Sequence, residues 1–217
     1  MGVQASIGLR ERKKADTRRA LSDAALKLAF ENGVDDVTRE AIASLAGVSL
    51  RTFNNYFTGK YEALAYRQTE RLRRSITALR ARPAGEPLWT SITEALLEPL
   101  EEDFGEVTSE EDRAPTRAEL IEIRKLLMRQ EIRNAMSREL FDEWVEAVAE
   151  RSGTDPARDM YPRLVTAVVR AVGDAATDTY ATADPPMALT TLLREGMAAV
   201  AAGLPEPSSR TKRSSRG

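Results

Sequence analysis

Two residues that favour helix N-caps, Thr38 and Ser49, stand eleven positions apart with Gly47 between them. A cap at Thr38 opens a helix, Gly47 closes it in a left-handed turn, and Ser49 opens another at once. Each helix then has room for about two turns, too few to be stable alone in water. Both must therefore pack on a further helix, and the apolar spacing supplies one. Leu21, Ala24, Ala25, Leu28 and Ala29 recur at i, i+3, i+4, i+7 and i+8 ahead of the pair, and Asn32-Gly33 stops that helix. Val37 before the first cap and Ile42 after it form a hydrophobic-staple pair. The spacing predicts helices from about Lys14 to Glu31, Thr38 to Ala46 and Leu50 to Phe57, with Thr58-Gly59 as the next break.

The helical period continues through the remaining chain, and few stretches alternate with period two. A long helix is expected from Lys60 to about Arg82, stopped by Pro83 and Gly85. Pro87 opens the next, with Trp89, Ile92, Leu96, Leu97 and Leu100 inward, and a Glu/Asp-rich loop covers about Glu101–Pro115. Leu120, Ile123, Leu126 and Leu127 mark a further helix, and Leu140, Phe141, Trp144, Val145 and Val148 one over about Asn134–Arg151. Asp155-Pro156 is expected to cap and open a helix to about Tyr180, and Asp184-Pro185-Pro186 the last, which ends at Gly203. The predicted fold is all-α. Residues 1–12 read as a flexible basic arm, 13–59 as an N-terminal three-helix helix-turn-helix domain, and 60–203 as a larger C-terminal helical bundle. Helix 60–82 connects the two, and 204–217 read as a disordered basic tail.

Composition removes several classes of function. The 217 residues include no Cys, so disulfides, thiolate metal sites and a Cys nucleophile are excluded. They include no His, which removes a Ser-His-Asp triad and a His-Glu-x-x-His zinc site. Glu110-Glu111-Asp112 falls in the expected loop without an apolar setting to raise a carboxyl pKa, and reads as solvated charge. No cofactor, metal or enzymatic activity is expected. No window approaches the ~18 apolar residues of a membrane span, and no apolar secretory segment opens the chain, so a cytoplasmic protein is expected. Met1-Gly2 with Ser6 matches the loose myristoylation pattern, which is read as chance. The net charge of -2 conceals a division. Residues 1–82 carry 16 Lys and Arg against 9 Asp and Glu, residues 83–203 carry 12 against 24, and the tail carries 4 against 1. A basic first third on an acidic body suggests a module that meets a polyanion, with solvated helices as the plainer alternative.

Two short helices across Ala46-Gly47-Val48-Ser49 have the proportions of a helix-turn-helix. Val48 and Ile42 would tie the pair to the first helix and leave the outer face of residues 49–56 free for a major groove. Ser49, Leu50, Arg51, Thr52, Asn54, Asn55 and Tyr56 lie there. Arg pairs with guanine, Asn with adenine, and Thr, Tyr and Lys with phosphate. An ordinary helical hairpin with polar residues in solvent is the alternative. Phe53 and Phe57 read as core. The basic run Arg10 to Lys14 with Arg18 and Arg19 reads equally as a phosphate-tracking arm or as a solubilising tail.

Residues 38–64 strongly resemble the DNA-binding domain of the TetR family of bacterial repressors. Thr38, Ile42, Ala43, Ala46, Gly47, Val48, Ser49, Thr52, Tyr56, Phe57, Lys60 and Leu64 fall at the family's spacing. The resemblance places Thr38 on a phosphate and Arg39 within reach of a base or phosphate. It gives Thr52 and Tyr56 phosphate contacts on the recognition helix, and puts Lys60 on the DNA backbone. Leu50, Arg51 and Asn55 lie where base readers lie. Asn54 departs from the pattern, standing where many members have an aromatic residue. Either the phosphate or ring interaction is missing there, or Asn54 reads a base.

The resemblance further implies a homodimer joined through its last two helices, and hence a roughly palindromic double-stranded DNA operator. Val165, Val169, Val172, Leu189, Leu192, Leu193, Met197 and Val200 are the expected interface residues. A pocket for a small apolar, fatty-acyl-like effector is expected inside the C-terminal bundle. Its candidate lining is Trp89, Leu96, Leu100, Phe104, Leu127, Met128, Phe141, Trp144, Val148 and Met160. Arg124, Arg129, Arg133 and Arg163 read as surface, with a ligand carboxylate or phosphate as the alternative. The resulting expectation is a ligand-responsive repressor. An activator or effector-independent DNA binder is the first alternative, and an all-α enzyme or lipophilic-ligand carrier a remote one.

Overall fold

The computed structural model describes residues 2–105, 125–126, 129–135, 138–185 and 187–206. Among them the chain forms helices α1 (Gly2–Asn32), α2 (Arg39–Leu45), α3 (Leu50–Tyr56), α4 (Lys60–Ala81), α5 (Leu88–Gly105), α6 (Gln130–Ala135), α7 (Arg138–Ser152), α8 (Tyr161–Thr182) and α9 (Leu189–Ala201). No strand occurs among the described residues, as the all-α expectation requires.

Helices α2, α3 and α4 follow their sequence signals closely. The Thr38 side chain accepts from the Ala41 N–H, and the Ser49 side chain accepts from the Thr52 N–H. Val37 and Ile42 are both buried, as a staple requires. Gly47 adopts φ +67°, which lets the Val48 N–H return to the carbonyl of Ala43 at 2.9 Å. α1 departs from expectation at its start. It is helical from Gly2, through the segment expected as a flexible arm, because no Pro and no Gly after Gly8 interrupts the run of Arg, Glu, Lys and Ala that follows.

α4 is the spine that joins two cores. Its first half gives Ala63, Leu64 and Ala65 to a cluster with Leu21, Ala25, Ile42, Phe53 and Phe57. Its second half gives Ile76, Ala78 and Leu79 to a cluster with Ile92, Trp144, Val148, Val165 and Met197. A third cluster holds Leu97, Leu100, Ala176, Leu192 and Leu193. α9 crosses α8 closely at Gly196, where an added Cβ would stand 2.8 Å from the Val172 Cγ1.

The C-terminal boundaries correct several expectations. α5 continues to Gly105, past the expected loop start at Glu101, and Asp103 there binds Arg71 at 2.8 Å. Asn134, the expected start of a helix, already lies within α6, which begins at Gln130, and residues 138–152 are helical as expected. Asp155 caps only a single turn, through the Ala157 N–H at 2.9 Å, and α8 begins at Tyr161. A helix from Pro156 would place Pro162 in its interior, where Pro lacks an N–H and collides with the preceding turn. Pro162 instead occupies the first turn of α8. The last helix starts at Leu189, after the Asp184-Pro185-Pro186 segment. The expected helix over Leu120, Ile123 and Leu127 lies outside the described residues, except for Lys125 and Leu126. The tail from 207 lies outside them as well.

Candidate nucleic-acid interface

The outer face of α2 and α3 is built by burial on the opposite side. Phe53 is wholly buried, with its ring centroid 5.8 Å from that of Phe57, which in turn meets Tyr66 at 5.6 Å. These anchors fix the rotation of α3 and turn Ser49, Leu50, Arg51, Asn54 and Asn55 to the exposed side, with Thr52 and Tyr56 half-buried at its margin. The side chains of Arg39, Arg51, Asn54 and Asn55 make no hydrogen bond or ion pair among the described residues. They therefore keep their full donor capacity for an external partner. Thr38 and Ser49 act first as caps. The Thr38 hydroxyl uses an acceptor lone pair on Ala41 and retains its O–H, which suits a phosphate oxygen. The Ser49 and Thr52 hydroxyls bond each other at 2.9 Å.

Lys60 differs from its expected role. Its ammonium donates to the carbonyls of Val34, Asp35 and Val37, each at 3.0 Å. An ammonium has three N–H donors, so all are committed to the chain's own backbone. Here Lys60 holds the loop that leads into Thr38 rather than offering its charge outward. That loop forms one wall of an open cleft of about 420 Å³ between the starts of α2 and α4, lined by Val37, Thr38, Arg39, Glu40, Thr58, Gly59, Lys60 and Tyr61. On its far side, Glu62 accepts from the N–H and the hydroxyl of Thr58 at 2.7 and 2.8 Å, closing the start of α4.

One contributor to this region has no signal in the sequence. Arg129, expected at the surface, donates from Nη1 and Nη2 to the two carboxylate oxygens of Asp35 at 2.8 and 2.6 Å. The hydrogen bonds from Arg129 hold the Asp35 carboxyl below its ordinary range. The partners are 94 positions apart, so no local spacing could have paired them.

The expected effector and dimer residues lie mostly within the C-terminal clusters. Trp144 and Val148 are buried in the second cluster, Trp89 and Leu96 pack against it, and Leu100 belongs to the third. Phe141 is half-buried. Met160 is a correction: it is 74% exposed on the turn before α8, because the helix starts after it. The side chains of Phe104, Leu127 and Met128 lie outside the described residues. Among the expected dimer residues, Val165, Val169, Leu192, Leu193 and Met197 are buried within the chain itself, and Val172, Leu189 and Val200 are half-buried. The apolar stripe is a buried face, as its spacing predicts, but it serves the chain's own core. Among the described residues no group of His, Cys, Asp and Glu is arranged to hold a metal ion. No described helix is long and apolar enough to cross a membrane.

Residues 21–65 match the model for bacterial regulatory proteins of the tetR family, and residues 86–205 match that for the MftR C-terminal domain. The chain belongs to the TetR family. The HTH-type transcriptional regulator TcmR of Streptomyces glaucescens is 33% identical over 172 residues, which cover 76% of this chain and 74% of TcmR. Two solved structures share the TetR-family fold. Thermus thermophilus FadR, a TetR-family transcriptional repressor in complex with lauroyl-CoA, aligns with TM-score 0.53 over 89% of this chain and 97% of its own at 19% identity. The fatty acid degradation regulator FadR of Bacillus halodurans aligns with TM-score 0.53 over 87% and 96%, also at 19% identity. The protein is a TetR-family transcriptional regulator, and the exposed polar face of α2 and α3 lies within its matched N-terminal region.

Proposed function

We propose that this protein is a homodimeric, cytoplasmic repressor that binds a palindromic operator and leaves it when a small apolar effector fills the C-terminal bundle. The observation that carries the DNA half of this reading is the set of side chains of Arg39, Arg51, Asn54 and Asn55 beside the capped starts of α2 and α3, with no side-chain bond to any described residue. In this reading α3 lies in the major groove. Arg51 pairs with guanine, Asn54 or Asn55 with adenine, and Leu50 packs on a thymine methyl. Thr38, Arg39, Thr52 and Tyr56 position the domain on phosphates.

The dimer is supported by the solvent side of α8. Leu164, Ala167 and Ala171 are exposed at helical spacing, with Val168 half-buried between them. Small residues in such a row permit close helix approach, and this face replaces the buried stripe as the proposed interface. The apolar effector is supported by the lauroyl-CoA carried by the Thermus FadR, whose fold this chain shares. A long acyl chain suits a bundle rich in Trp, Leu and Met. The protein would act by binding alone. To release the operator, the effector must bind the DNA-incompetent arrangement more tightly by a few kcal/mol.

The test is fluorescence anisotropy with duplexes selected from a random pool, with and without acyl-CoA. Selective binding that weakens steeply with salt, is lowered by Arg51→Ala, and is reversed by an acyl-CoA is the expected result. Uniform affinity for every duplex near the non-specific range, about 10⁻⁴–10⁻⁶ M, would reject the operator reading. An operator complex unchanged by any acyl-CoA would reject that effector class.

A further inference from the structure

We infer that Arg129, together with Lys60, is a positioning residue for operator binding, and that Arg129 lets the C-terminal half hold the DNA-contacting start of α2 in place. The inference deepens the proposed DNA reading and rests on it. Five residues, Gly33 to Val37, lead from the end of α1 to the Thr38 cap. Asp35 in this loop is held at both ends. Its carbonyl accepts from Lys60 at 3.0 Å, and its carboxylate takes the paired N–H groups of Arg129 at 2.8 and 2.6 Å. A two-pronged Arg–carboxylate pair fixes direction as well as distance, which a single ion contact does not.

Arg129 is itself firmly placed. Leu126, three residues before it, and Ile132, three after it, are both buried, and both join the cluster formed by Leu21, Ile42, Phe53 and Phe57. The Arg129 N–H also returns to the Leu126 carbonyl at 3.3 Å. A segment that lies within the C-terminal family match is therefore anchored in the core of the DNA-binding domain, and the guanidinium between its two anchors grips the loop ahead of Thr38 and Arg39. Neither cation needs to touch DNA to matter. Lys60 and Arg129 act through the loop, and any displacement of residues 126–132 would reach α2 through this bond.

Phosphate-binding and positioning residues leave different traces. Removing a cation that neutralises a phosphate reduces the slope of log affinity against log salt by about 0.9. Removing a positioning residue lowers affinity at every salt concentration and leaves the slope unchanged. The experiment measures operator affinity across a salt series for wild type, Arg129→Gln, Asp35→Asn, Lys60→Met and the exchanged pair Asp35→Arg/Arg129→Asp. Amide hydrogen exchange of residues 34–41 is followed in the same proteins. We expect each single change to weaken binding about tenfold, within the usual range of site coupling, at unaltered slope and with faster exchange in 34–41. The exchanged pair should recover most of the affinity. Wild-type affinity and wild-type exchange in Arg129→Gln would overturn the inference, and so would a reduced slope in Arg129→Gln or Lys60→Met. Should the wild type select no duplex, the operator reading falls and takes the inference with it. An operator-binding wild type with unaffected variants overturns the inference alone.

Discussion

The arginines of the body and those at the starts of α2 and α3 are the same residue used in opposite ways. In the body, Arg74 meets Glu102 and Asp103, Arg80 meets Glu150, Arg82 meets Glu86, and Arg194 meets Glu94. At the starts of α2 and α3, Arg39 and Arg51 are exposed and meet no carboxylate among the described residues. A paired guanidinium is already satisfied and holds elements together. An unpaired one remains available to phosphate and base edges. The excess positive charge of residues 1–82 is therefore open to an outside partner only where it is left unpaired, and Lys60, in the same region, is committed to the chain's own carbonyls.

The largest effect is expected at the residue that keeps the unpaired face oriented. Phe53→Ala empties a fully buried site and should cost about 3–5 kcal/mol of stability, read by urea denaturation; a cost below about 1 kcal/mol, outside that range, would mean that α3 is not anchored there. Arg51→Ala should leave the melting temperature unchanged while removing about 1–3 kcal/mol of discrimination at one base pair. That outcome is checked by selecting operators again with the variant, and a drop in stability without a specificity change would place Arg51 among the structural arginines.

The paired side can be sharpened by pH. Arg82, foremost, and Ser91 hold the Glu86 carboxyl down at about 2, from the usual 4.5. A carboxylate depressed in the folded state stabilises fully above its unfolded value and ceases to do so as pH falls through the folded one. Wild type should therefore melt above Glu86→Gln at about pH 6, and the two curves should converge between pH 4.5 and about 2. Parallel curves would remove Glu86 from the account. Arg80→Ala should produce the smallest effect, at most about 1 kcal/mol of stability and no change in operator affinity, because the pair with Glu150 is exposed.

The sequence is most legible where structure is set within a few residues. Thr38, Ser49 and Gly47 fix the ends of α2 and α3 by local hydrogen bonds and a single left-handed turn, so the candidate site can be drawn from spacing alone. The start of α8 misleads because two prolines compete, and the one at Pro162 is the one that cannot lie inside a helix. Helical periodicity identifies Val165, Leu192 and Met197 as buried, but it does not say whether a buried face meets the chain's own helices or a second copy. Leu126 and Ile132 joining the DNA-binding core, and Arg129 reaching Asp35, are tertiary events between distant segments, for which the local pattern carries no signal.

The most direct test of the division between free and paired cations is the salt dependence of operator affinity for Arg39→Ala beside Arg74→Ala. Arg39→Ala should lower the slope by about 0.9 for each phosphate no longer neutralised, twice over if two copies bind, while Arg74→Ala should leave slope and affinity at wild-type values. A slope unchanged in Arg39→Ala, or reduced in Arg74→Ala, would contradict that division.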